Sequence, residues 1–166
     1  MIDERIKIKG LYLIEAMQAV SQLCGDTAQG RFYKAKVDKA KPIHLTSVKE
    51  LFSEEELKAL LRDVKPKMHG CFQTAQRLSM FHGFEYVEGE WGIGGGLGIE
   101  HAFNRKGDKY FDLTSEIVLK KNVEEEEFVS IAEFSAKFVR SACLELKVYT
   151  ALIPYKYNRD KNLDYE

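Results

Sequence analysis

The chain has 166 residues, with 25 Lys+Arg against 26 Asp+Glu and a formal net charge of −1. That balance argues against a dedicated polyanion binder such as a nucleic-acid protein, and it places function in a local site. A 45% hydrophobic composition with ten Phe, eight Tyr and one Trp excludes a disordered chain, and a single domain of this size buries roughly 70% of its unfolded surface without a disulfide or metal staple.

Cys24, Cys71 and Cys143 are odd in number, dispersed and never arranged as C-x-x-C, which disfavours a disulfide framework and a structural zinc site. Free thiols point to a reducing, cytoplasmic setting. The N-terminus MIDERIKIKG is charged from its third residue and carries no apolar targeting stretch, and no run is apolar enough to span a bilayer. The expectation is a soluble, intracellular, single-domain protein without nucleic-acid or membrane partners.

In chain order, Leu11, Ile14, Met17, Val20 and Cys24 recur at spacings of three and four, which predicts a helix over 11–24 closed by Gly25, with Cys24 facing the core. Arg31 to Val37 reads as a strand or an extended connection, ended by Pro42. Ser53-Glu54-Glu55-Glu56 is a capping box with Phe52 and Leu57 as its hydrophobic staple, so a second helix follows, with Leu57, Leu60 and Leu61 inward and Pro66 as its stop. Residues 1–65 are therefore expected to be a helical N-terminal region that sets substrate or partner choice.

From Gly70 the period restarts: Phe72, Ala75, Leu78 and Phe81 predict a helix that Cys71 opens and Gly83 caps. Phe84 to Glu88 reads as a strand, followed by a Gly-rich span and a second strand, Ile99 to Phe103. Arg105-Lys106-Gly107-Asp108 is a turn, and Tyr110 to Leu113 returns from it. Phe128 to Phe134 alternates like a strand while also containing helical spacing, and is read as a strand, with a helix capped by Ser135 behind it and a loose tail over 158–166 after Pro154.

The chemistry gathers on three of these elements. A thiol at a helix start meets the positive end of the helix dipole and free backbone N–H groups, which favour thiolate and also serve an oxyanion. That describes Cys71. His101 on a strand is a candidate base, and Asp112 on the returning strand is a candidate to hold its ring. A two-residue turn centred on Lys106-Gly107 would place His101 directly opposite Asp112 on one face of the hairpin.

Cys71-x-x-x-Ala75-x-x-Leu78, Tyr86-Val87-Glu88-Gly89, Glu100-His101-Ala102-Phe103 and Tyr110-Phe111-Asp112-Leu113-Thr114 together resemble the transglutaminase-like branch of the papain-like cysteine enzymes. The resemblance covers about residues 70–115. It implies an α+β fold in which a nucleophile helix packs on an antiparallel sheet, a Cys71-His101-Asp112 triad, a protein or peptide substrate, and no cofactor. Phe103 stands where the family often has Trp. No upstream Gln occupies the family's oxyanion position, and Lys65, Lys67 and His69 are the local candidates. Residues 66–150 form the catalytic-type core on this reading.

Against each feature stands a plainer one. Taken alone, Cys71 is a buried helix-start cysteine. Cys24 and Cys143 are packing residues, and His69 and His82 flank the helix without metal-ligand spacing. Glu88 and Glu100 alternate outward on strands. The glycines from Gly92 to Gly98 lack the Lys-Ser/Thr and following helix of a phosphate loop. They suit a mobile flap before His101 or a plain hairpin connection, with Trp91 and Phe103 as candidate substrate contacts. Two functions remain: an amide or peptide hydrolase, or a binding protein of the same fold that docks a protein without turnover.

Overall fold

The structure, a computed structural model, describes residues 9–94 and 97–166. Among the described residues it is a mixed α+β arrangement built on a five-stranded antiparallel sheet. The strands are β1 (Lys41–Ile43), β2 (Glu85–Gly94), β3 (Leu97–Lys106), β4 (Lys109–Phe111) and β5 (Glu127–Phe134), and they lie side by side in the order β1-β5-β2-β3-β4. Among the described residues, seven α-helices accompany the sheet: α1 (Leu11–Cys24), α2 (Ala28–Lys39), α3 (Val48–Leu51), α4 (Glu54–Val64), α5 (Cys71–His82), α6 (Ala136–Leu146) and α7 (Ile153–Asp160), with a π-helical turn at Thr114–Val118.

Alternation along β2 explains the two layers. Tyr86 joins Leu13 and Met17 of α1, Ala75 of α5 and Phe138 of α6 in one apolar cluster. Val87 and Trp91 turn the other way, into a cluster with Leu45, Phe103 and Phe128. Leu60 and Val64 of α4 meet Leu78 of α5 and Phe111 of β4 in a third.

Several elements follow the sequence closely. The capping box forms, with Glu56 N–H donating to Ser53 Oγ at 3.1 Å and Ser53 N–H donating to Glu56 Oε2 at 2.7 Å. Gly83 ends α5 in the left-handed region, at φ 76°. Ser135 caps α6 by accepting from Phe138 N–H at 3.2 Å.

Other elements differ. The buried face of α1 is Leu13 and Met17, with Leu11 exposed and Cys24 only half-buried. Arg31 to Val37 is helical, inside α2, which Thr27 caps by accepting from Gly30 N–H at 3.1 Å. Its pattern misleads because a lysine occupies the inner face. Lys36 is buried, and its ammonium lies 5.6 Å from the Phe32 ring centre and 5.0 Å from that of Tyr33. The N-terminal 65 residues are not purely helical, since β1 pairs with β5 at the sheet edge, where Pro42 forfeits no interior ladder bond. Nor is the tail loose. Pro154 sits in the first turn of α7, Leu163 is buried, and Ser135 N–H donates to the Glu166 carbonyl at 2.7 Å. Among the described residues no helix is long and apolar enough to cross a membrane.

Candidate active site

The turn before α5 sets the presentation of Cys71. His69 takes a positive φ of 60°, and Gly70 N–H closes the turn onto the Lys67 carbonyl at 3.0 Å. A Cβ on Gly70 would lie 2.9 Å from Lys67 Cγ and 3.0 Å from Lys67 O, so glycine is what lets the chain pass this close. Gly70 supplies no side-chain cap to α5. The first-turn N–H groups and the positive end of the dipole therefore stay with Cys71.

His101 lies on β3 opposite Gly89 of β2 and is 4% exposed. Its Nε2 bonds Asp112 Oδ2, a contact between two buried side chains. The β3–β4 register pairs Asn104 with Phe111 and Lys106 with Lys109, so the turn is centred one residue later than the sequence suggested. The shift keeps the parity of the ladder, so positions 101 and 112 still share a face, now diagonally related. Beyond Phe111 the chain leaves the ladder, and Asp112 meets the imidazole from the short connection that precedes the π-helical turn at Thr114–Val118.

Sequence reasoning missed Ser115. Its N–H donates to Asp112 Oδ1 at 3.1 Å, its Oγ donates to Asp112 Oδ2 at 2.5 Å, and Oγ lies 3.2 Å from His101 Nε2. The cue was present in Asp112-Leu113-Thr114-Ser115, an acid three residues ahead of the N–H it accepts.

Burial alone would push the His101 imidazole down. The charge and hydrogen bond of Asp112, with a smaller contribution from Cys71, outweigh it and raise the pKa from 6.5 to about 10. Burial likewise pushes Asp112 up, and His101 with Ser115 holds it below its ordinary 3.8. The pair is thus an imidazolium and a carboxylate near neutral pH. With Nε2 engaged by Asp112 and Ser115, Nδ1 is the nitrogen left to face Cys71.

Cys71 and His101 open onto one cleft of about 490 Å³, which Trp91, Ile99, Leu119 and Lys121 also line. Trp91 is fixed as part of its wall: the indole N–H donates to Glu126 Oε2 at 2.9 Å, the ring stacks on Phe128, and its centre is 5.5 Å from that of His101. Phe103, 1% exposed, stands behind the imidazole with ring centres 6.3 Å apart and does not reach the cleft. It packs beside the ring and, unlike the expected substrate contact, does not line the cleft. Within the Gly-rich span, Gly92 pairs with Gly98 in the β2–β3 hairpin, while Gly95 and Gly96 lie outside the described residues. Of the oxyanion candidates His69 lines the cleft, whereas Lys65 and Lys67 do not.

The other cysteines stand apart from this constellation. Cys143 donates to Gln76 Oε1 at 3.4 Å, and burial pushes its thiol up. Cys24 ends α1.

Glu88 departs most from expectation. It is 2% exposed and not turned to solvent, because it shares the face of Tyr86. It accepts from Tyr86 Oη at 2.5 Å, from Ile153 N–H at 2.9 Å and from Leu152 N–H, and so holds the start of α7 against β2. Burial raises its carboxyl to about 7 despite those three donors. Glu100 is exposed, as expected, at the cleft.

Comparison with protein-family models, with curated proteins and with solved structures finds no match. Function must therefore be argued from the site.

Proposed function

We propose that this chain is a cysteine hydrolase with a papain-like, transglutaminase-like core, acting on an amide or peptide bond through Cys71, His101 and Asp112. The observation that carries the reading is the convergence on one cleft of a helix-start thiol and an imidazole whose far nitrogen is already engaged by a buried carboxylate.

The steps follow from that arrangement. Cys71 Sγ, its proton held on His101, attacks the carbonyl carbon and forms a C–S bond, and the negative oxygen meets the first-turn N–H groups of α5. As the C–N bond breaks, His101 delivers its proton to the departing nitrogen. The neutral ring then takes a proton from water, the resulting hydroxide equivalent attacks the thioester carbonyl, and the C–S bond breaks to return thiolate and imidazolium. Asp112, held by Ser115, fixes the ring so that the same nitrogen serves both halves. His69 is the side chain at the cleft available as a second oxyanion donor.

Iodoacetamide labelling of the folded protein from pH 5 to 9, with each cysteine mapped by mass spectrometry, tests the reading. Cys71 is expected to label ahead of Cys24 and Cys143 below pH 7, and His101→Ala is expected to abolish that lead. Equal labelling of the three cysteines would overturn it in favour of docking without turnover.

A further inference from the structure

We infer that the Cys71 cleft reads the acyl side of its substrate, and that the preferred acyl donor is a peptide whose bulky apolar residue at the scissile carbonyl follows an acidic residue. This inference rests on the proposed hydrolase reading. In such a reaction the acyl group stays bonded to sulfur through both half-reactions while the amine leaves after the first, so the walls nearest Cys71 must hold the acyl part.

Those walls are apolar. Phe72, Trp91, Ile99 and Leu119 line the cleft, and Met68 and Ile99 at its rim are 59% and 41% exposed. A ligand side chain covering that surface gains the transfer free energy that the empty rim forgoes. Two charged side chains line the cleft besides the His101 imidazolium, which Asp112 already pairs: Lys121 and Glu100. Lys121 is also fixed in place. Its backbone N–H donates to the Ser115 carbonyl at 3.0 Å, and its ammonium lies 5.9 Å from the Trp91 ring centre. An acidic side chain one residue removed from the scissile carbonyl would meet that ammonium at the rim, which makes Lys121 a specificity residue.

The test uses peptidyl chloromethyl ketones, in which the thiolate forms a C–S bond to the methylene carbon and chloride leaves. Second-order inactivation rates are measured for acetyl-Asp-Phe, acetyl-Lys-Phe and acetyl-Asp-Ala chloromethyl ketones. Acetyl-Asp-Phe is expected to react about tenfold faster than acetyl-Asp-Ala and about threefold to fivefold faster than acetyl-Lys-Phe. Lys121→Glu is expected to reverse the Asp-over-Lys preference, while Lys137→Glu, an exposed charge on α6, leaves it intact. Equal rates for the three reagents on a protein whose Cys71 is still singled out by iodoacetamide would overturn this inference and leave the hydrolase reading standing. Failure of iodoacetamide to single out Cys71 would overturn both.

Discussion

Replacing Asp112 by Asn removes one negative charge from a buried pair while keeping the shape and an oxygen that accepts from His101. In the native protein the imidazole titrates at about 10, against 6.5 for a free histidine, with Asp112 the largest contribution opposing burial. At pH 8 a group titrating at about 10 is roughly 99% protonated, whereas one at or below 6.5 is at most about 3% protonated. Each pKa unit is about 1.4 kcal/mol, so at full strength the interaction amounts to about 4–5 kcal/mol. Removing one partner from a buried ion pair costs about 3–5 kcal/mol, the same size. Because the folded pKa of His101 is raised, this stability is complete below pH 6.5 and is lost as pH climbs through about 10. Because that of Asp112 is lowered, it is also lost as pH falls below 3.8. Urea unfolding of wild type and Asp112→Asn is thus expected to differ most between about pH 4 and 6.5, by roughly 4 kcal/mol, with the gap closing by about 1.4 kcal/mol per pH unit towards pH 10. NMR titration of the four histidine rings, with His101 assigned from His101→Ala, should move that ring's midpoint from about 10 to 6.5 or below. A pH-independent gap, or a His101 midpoint unmoved by the substitution, would refute the ion-pair reasoning.

Two further substitutions address the scaffold. Glu88 has a raised folded pKa, so its ionisation opposes folding: wild-type stability should fall by about 2–3 kcal/mol between pH 4.5 and 6.5, where His101 contributes a constant amount, and Glu88→Gln should flatten that fall in urea titrations. Ser53→Ala breaks the capping box of α4 and should cost about 1 kcal/mol, a drop of roughly 2–4 °C in Tm by differential scanning calorimetry.

What the sequence made legible and what it hid divide along physical lines. Helices announced by local chemistry, such as the Ser53–Glu56 box and the Gly83 and Ser135 caps, are found where the residues put them, because those signals act within one turn of chain. The helix α2 was hidden because Lys36 is buried by lying over aromatic rings, a tertiary event that periodicity scores as polar. Glu88 was misread for the same reason: its partners on α7 are more than sixty residues away. The meeting of His101 with Asp112 was legible although the turn was misplaced by a residue, since that error preserves the face. Phe103 was legible as an aromatic beside the imidazole, but which side of the ring it occupies depends on the packing of β5 through Phe128.

The stretch from Asp112 to Lys121 carries, in ten consecutive residues, the acid that governs the imidazole, the hydroxyl that steadies that acid, and a leucine and a lysine that line the cleft with the thiol. Lys121 is tethered to the Ser115 carbonyl, and Ser115 to Asp112. On the proposed reading, selectivity and proton affinity share one mechanical part. A change that shifts the backbone of this stretch will drag on the carboxylate, whereas a side-chain replacement at Lys121 keeps its N–H bond to the Ser115 carbonyl. Met68 and Ile99 also line the cleft and have no backbone hydrogen bond to Asp112 among the described hydrogen bonds, so substitutions there leave the carboxylate's tether untouched.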